Sequence, residues 1–156
     1  MNRKGIKQTR AERNIAWCEQ YLRIPEGKFV GQPLKMAEFM KEDFRAIYDN
    51  PNGTRRAIIS RGRKNAKTTE SAMILMLHLC GPEARPNSQL FSAAQSREQA
   101  SVLFALASKM VRMSPDLSEY VVIRDTAKQL YCPELGALYR ALSAEASTAF
   151  GLSPVL

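Results

Sequence analysis

This sequence predicts an α/β fold of three layers with a mainly parallel sheet, and three observations predict it. Short apolar runs of strand type, residues 56–60 and 89–93, are each followed by a longer segment of helical periodicity, residues 67–80 and 96–113. A chain of 156 residues with 45% apolar and 24% charged side chains is long enough for one hydrophobic core and ordinary in composition. Three further short runs, 120–125, 128–132 and 137–143, are spaced by tight turns and add strands to the same sheet.

The elements follow in order. Thr9 is placed to cap a helix whose apolar positions Ala11, Ile15, Cys18 and Leu22 recur at helical spacing. Residues 24–33 contain two Pro and two Gly and read as a connector. Met36, Phe39, Met40, Phe44 and Ile47 then form one face of a second helix, closed by the turn Asp49-Asn-Pro-Asn-Gly53. The strand at 56–60 leads through a basic loop, 61–66, into the helix at 67–80, which Gly81-Pro82 stops. Ser96 and Gln99 are spaced as a capping box for the helix at 96–113, and its core stripe is Ala100, Leu103, Phe104, Ala107 and Met110. Ser114-Pro115 reads as the end of that helix.

Composition excludes several classes. No stretch approaches the roughly 18 apolar residues needed to span a bilayer, so no membrane partner is expected. The basic start leads into no apolar run, so no secretory signal is expected. Cys18, Cys80 and Cys132 are far apart and odd in number, which suits core thiols in a reducing compartment. The single His78 lies in the apolar run AMILMLHLC and reads as a helix-face residue, which argues against a Ser-His or Cys-His hydrolase. The formal charge of +8 is concentrated in two places. Arg3, Lys4, Lys7, Arg10 and Arg13 stand near the start, with Glu12 the lone acid among them. Arg55, Arg56, Arg61, Arg63, Lys64 and Lys67 form a second cluster with no acid, and like charges at that density repel unless an anion balances them.

The second cluster contains Ser60-Arg-Gly-Arg-Lys-Asn-Ala-Lys-Thr-Thr69, between a strand and a helix. A phosphate-binding loop belongs at such a junction. Its backbone N–H groups wrap a phosphate, the helix N-terminus adds partial positive charge, and a Lys followed by a hydroxyl residue completes the set. Lys67 and Thr68 fill those two places, Lys67 toward β and γ phosphates and Thr68 toward Mg²⁺. The match to the glycine-rich pattern is imperfect, with Arg61 at the first glycine position, Gly62 one place later and Ala66 at the second.

RGRKNAKTT at 61–69 resembles the variant Walker A loop of the large terminase subunits of tailed bacteriophages. IPEGKFVGQP and the helix after it are similar to the lead-in of that ATPase core, SAAQSREQA at 92–100 to its next strand–helix junction, and ALSAEASTAFGL at 141–152 to the approach to its Walker B strand. The resemblance implies a fold of the P-loop NTPase type, with a basic arm and helix at 1–33 and a partial ATPase domain at 34–156. It implies ATP and Mg²⁺ as ligands, with Gly62, Arg63, Lys64, Asn65, Ala66, Lys67, Thr68 and Thr69 around the phosphates. Lys67 and Arg63 would be the catalytic groups, Arg63 acting on the γ-phosphate as an arginine finger does, and Thr68 would ligate the metal through its hydroxyl.

It further implies a motor in the bacterial host cytoplasm that drives double-stranded DNA into a procapsid, with the small terminase subunit and portal protein as partners and a homo-oligomeric ring as the assembly. Two departures from the family pattern are Ala66 in place of glycine and Met40 near the place of an adenine-contacting glutamine. The Asp-Glu pair of the Walker B strand and a nuclease domain are absent from the sequence, so the expectation is an incomplete sheet and a fragment without turnover of its own. Glu145 is read as a structural or DNA-facing carboxylate rather than the missing base. Two other readings are a helicase-like P-loop ATPase and a non-catalytic basic DNA-binding module.

Overall fold

The computed structural model describes residues 7–94 and 96–143; the expectations for Arg3, Lys4 and residues 144–156, Glu145 included, lie outside them. Helix α1, Arg10–Tyr21, starts where the sequence places its cap. The Thr9 hydroxyl accepts the Glu12 N–H at 3.2 Å and the Thr9 N–H donates to the Glu12 carboxylate at 2.8 Å, so two helix-end donors are satisfied reciprocally. Helix α2, Glu38–Tyr48, buries Met40, Phe44 and Tyr48. The Asp49 carboxylate after it accepts the Ala11 N–H at 2.9 Å, tying α1 to α2. Between the two helices the chain turns back on itself through Ile24 N–H to Gln32 O and Gly31 N–H to Ile24 O, both at 2.9 Å.

Helix α3, Lys67–Leu79, is the centre of the molecule. Its Met73, Met76, Leu77 and Leu79 are fully buried together with Phe44, Met110 and Tyr139. Removing such a side chain, for example Leu77→Ala, costs about 2–5 kcal/mol. The helix ends against Gly81 for a steric reason. A Cβ at Gly81 would stand 2.8 Å from the Leu77 Cα, closer than real Cβ contacts come, and tight against the Trp17 ring at 3.2 Å.

Strand β1, Gln89–Ala94, helix α4, Arg97–Met113, and helix α5, Pro115–Tyr120, precede strands β2, Val122–Arg124, β3, Gln129–Cys132, and β4, Ala137–Ser143. Among the described residues these form one sheet in the order β1-β4-β3-β2. Strand β4 runs parallel to β1, with Gln89 opposite Leu138, and antiparallel to β3, with Tyr131 opposite Leu138 on that side. Helix α4 lies on β1 and β4 and packs alongside α3, while α1 bridges α2 and α3. The fold is thus α/β, as expected.

Three details differ from the sequence reading. The sheet is mixed rather than mainly parallel, because residues 56–60 do not join it: they have no strand conformation, and Ile58 is 86% exposed. An apolar run becomes a strand only where a partner accepts its backbone, and here none of the described strands lies beside it. Ser114-Pro115 does not simply end a helix but begins α5, with the Ser114 hydroxyl accepting the Leu117 N–H at 3.4 Å and Pro115 at the first helical position. Phe39 is not a core residue: it is 44% exposed and serves another contact, described below.

Candidate nucleotide-binding site

The segment from Ser60 to Ala66 approaches α3 in an irregular path with two left-handed residues. Lys64 and Ala66 have φ of 64° and 53°, the left-handed conformation that glycine adopts most readily. Ala66 is the N-cap of α3 and makes no side-chain cap hydrogen bond, so the first turn of a 13-residue helix, at Lys67, Thr68 and Thr69, carries N–H groups without an intrahelical acceptor. Alternation of right- and left-handed residues ahead of such an end creates a concave array of N–H donors suited to an anion. The glycine pattern of phosphate loops is therefore satisfied in conformation at Ala66 although not in residue type.

Gly62, Arg63, Lys64, Asn65, Lys67 and Thr68 are exposed, and Ala66 and Thr69 are half-buried. The structure thus brings every residue of the expected phosphate site to one exposed corner. The Lys67 ammonium folds back across the mouth of the loop and donates to the Arg61 carbonyl at 2.6 Å.

Two cavities flank the corner. One, of about 250 Å³, is lined by Ile24, Pro25, Leu34, Met40, Thr69 and Met73 and is largely apolar. The other, of about 570 Å³, lies toward α4 and is lined by Lys64, Thr68, Val102 and Leu106. Glu26 borders both, and its carboxylate pairs with Lys109 of α4 at 2.5 Å. Met40 is a wall of the apolar cavity.

The sequence reading missed what holds the loop. Arg61 forms ion pairs with Asp43 of α2 and Glu70 of α3, and its guanidinium lies 4.6 Å from the Phe39 ring centroid. Glu70 is completely buried, and burial pushes its carboxyl above the ordinary value against the opposing pull of Arg61. One signal was available. Glu70 stands three residues before Met73 and seven before Leu77, so it shares the core face of its helix, where an acid needs a partner.

The other expectations divide. His78, three turns along α3 from Lys67 and so about 16 Å away, accepts or donates a 3.2 Å hydrogen bond with the Tyr48 hydroxyl. Burial lowers the pKa of its ring, which agrees with a helix-face residue and with no role at the loop. Arg10 and Arg13 of the first basic cluster are engaged within the chain, both on Glu83 at 2.5 and 3.2 Å, and Asn14 joins them at 2.8 Å. Arg55 and Arg56 are exposed. The cysteines are free thiols. Among the described residues no group of three or more His, Cys, Asp or Glu could hold a metal ion, and no helix is long and apolar enough to cross a membrane.

A family model described as "Terminase large subunit, ATPase domain" matches residues 45–155, which include the whole loop and α3. The large terminase subunit of Enterobacteria phage HK97 is 50% identical over 148 residues, covering 95% of this chain and 29% of that protein. The crystal structure of the HK97 bacteriophage large terminase matches with a TM-score of 0.85 at 48% identity, over 94% of this chain and 30% of that one. The chain therefore spans about 30% of the length of these relatives, within their ATPase portion. With a structural match at that level and a family match over most of the sequence, this chain belongs to the large terminase subunit family of bacteriophages, in its ATPase domain.

Proposed function

We propose that this chain is the nucleotide-binding portion of a DNA-packaging motor that couples ATP hydrolysis to movement of double-stranded DNA into a procapsid. The observation that carries the reading is the uncapped N-terminus of α3 behind a left-handed Ala66, with the Lys67 ammonium held across the loop mouth. The backbone N–H groups of Gly62 to Thr69 cradle the phosphates, and the Lys67 ammonium leaves the Arg61 carbonyl for the β and γ oxygens. The Thr68 hydroxyl would hold Mg²⁺, which when bound would shield the negative charge of the phosphate oxygens. Arg63, exposed at the loop rim, balances charge that develops on the γ-phosphate. The ATPase portion begins near residue 34, with residues 1–33 as an accessory arm and helix.

The described carboxylates closest to the loop are already committed: Asp43 and Glu70 to Arg61, and Glu26 to Lys109. A group that orients attacking water is therefore none of these three carboxylates. Exposed Arg55 and Arg56 face DNA phosphates, so DNA contact is nearly independent of sequence. The whole motor works as a ring in the host cytoplasm, with the small terminase subunit and the portal as partners.

Calorimetric titration of Mg-ATP into this chain and into Lys67→Ala tests the reading. The substitution removes the ammonium from an exposed loop, so stability changes by less than about 0.5 kcal/mol. Affinity falls by at least about 2 kcal/mol, roughly thirtyfold. Equal affinity in the two proteins would remove the phosphate-loop assignment.

A further inference from the structure

Arg61 occupies a position where the glycine pattern leaves no role for a side chain, yet it is the most heavily tethered residue of the loop. Its side chain is only 16% exposed, and the guanidinium joins two helices, to Asp43 on α2 and Glu70 on α3, with the Phe39 ring 4.6 Å away. Its own carbonyl receives the Lys67 ammonium at 2.6 Å.

The arrangement is costly. Glu70 is fully buried, and its second carboxylate oxygen, Oε1, makes no hydrogen bond. A buried ion pair of this kind is commonly no more stabilising than apolar side chains of the same volume. Met73 and Leu77 show that this face of α3 is otherwise apolar. Stability alone therefore gives no reason for a carboxylate at position 70.

We infer that Arg61 is the positioning residue of the phosphate loop: clamped by Asp43 and Glu70, it fixes the carbonyl that parks the Lys67 ammonium and keeps the loop open to a polyphosphate. The inference rests on the nucleotide-binding reading for its ligand, although the clamp itself is a property of the free protein. Arg61 does not touch the ligand. It acts through the loop backbone, and the same clamp joins the lead-in helix α2 to the loop, so that displacement of Lys67 by phosphate alters a contact that α2 shares.

The test uses the 156-residue chain and two variants. Arg61→Met combined with Glu70→Met replaces the buried pair by apolar side chains of similar volume, which keeps the core filled. Asp43→Asn removes only the half-exposed partner and covers the case in which the double variant does not fold. Backbone ¹⁵N order parameters of residues 62–66 are measured without ligand, and inorganic tripolyphosphate and Mg-ATP are titrated by calorimetry.

The double variant is expected to melt within about 4 °C of the parent, as a stability change near 1 kcal/mol produces. Its loop order parameters nonetheless fall from near ~0.85 to below ~0.6. Tripolyphosphate affinity falls about tenfold, equivalent to about 1.4 kcal/mol. Asp43→Asn moves both quantities the same way by less. A merely structural pair predicts the opposite, with stability, loop order and affinity all restored by the apolar replacement, and that result overturns the inference. If the parent chain binds neither tripolyphosphate nor Mg-ATP, the nucleotide reading fails, while the order parameters of the free proteins still decide whether Arg61 holds the loop.

Discussion

The two basic clusters look alike in the sequence and do opposite things in the structure. In the first, Arg10 and Arg13 converge with Asn14 on Glu83, a carboxylate only 7% exposed, and Arg10 also lies 5.4 Å from the Tyr48 ring centroid. Those charges hold α1 to the end of α3. In the second, only Arg61 is paired with acids, and Arg55, Arg56, Arg63, Lys64 and Lys67 stay exposed around an uncapped helix end. The comparison teaches that a run of like charge is not itself a binding signal. What separates the clusters is whether the chain supplies a buried acid within reach. Glu83 answers the first cluster, and Asp43 with Glu70 answers one residue of the second.

The largest effect that can break this comparison is at Glu83. Burial alone would raise its carboxyl, but hydrogen bonds from Arg10 and Asn14 and the charge of Arg10 outweigh it and hold the group at about 2. Glu83→Ala leaves Asn14 buried without its acceptor and costs about 2 kcal/mol in denaturant unfolding, while Mg-ATP affinity changes less than about twofold. The pH dependence follows the same sign. A carboxyl lowered in the folded state stabilises fully above its ordinary value near 4.5, and that contribution is lost as pH falls toward about 2. A parent chain whose stability does not decline in that window, or a variant that declines as steeply, contradicts the assignment.

A smaller effect sharpens the contrast in DNA binding. Each phosphate contact adds roughly 0.9 to the slope of log affinity against log salt. Replacing Arg55 and Arg56 by Ala together should flatten that slope by up to about 1.8, whereas replacing Arg10 and Arg13 should leave it unchanged. Equal flattening by both pairs would show that the first cluster reaches DNA despite Glu83.

The smallest effect concerns the loop backbone. Ala66→Gly relieves a left-handed conformation at φ 53° but adds freedom to the unfolded chain, so the net stabilisation is below about 1 kcal/mol. Thermal unfolding measures it. A loss of stability would mean that the alanine methyl, packed at the edge of the core, outweighs the strain.

How much of this could be read from the sequence depends on whether a feature is local. The Thr9 cap, the Ser96 cap and the stripe of α4 were legible because the residues that decide them lie close together in the chain. Even there the capping box at Ser96 is realised on one side, through the Gln99 N–H at 3.2 Å. Residues 56–60 have the composition of a strand, but strand formation is decided by a partner distant in the chain. The start of α5 was hidden because the same Ser-Pro pair that stops one helix caps and opens another.

The placement of Lys67 and Thr68 on the first turn of α3 was legible from residue order alone. The clamp was not, since Asp43, Arg61 and Glu70 come from three separate segments and their meeting is set by the packing of α2 against the loop. Arg61 at a glycine position and an acid on an apolar helix face were the local traces of it.

The corner formed by the loop and the α3 N-terminus is proposed to receive the triphosphate of a nucleotide. The most direct measurement is a ¹H–¹⁵N titration of this chain with Mg-ATP, following every assigned backbone amide. The largest shifts are expected on Gly62 to Thr69 and on residues lining the two flanking cavities, with the amides of Arg10, Arg13 and Glu83 unmoved. Shifts centred on the Glu83 end of α3, or none at the loop at saturating nucleotide, would contradict it.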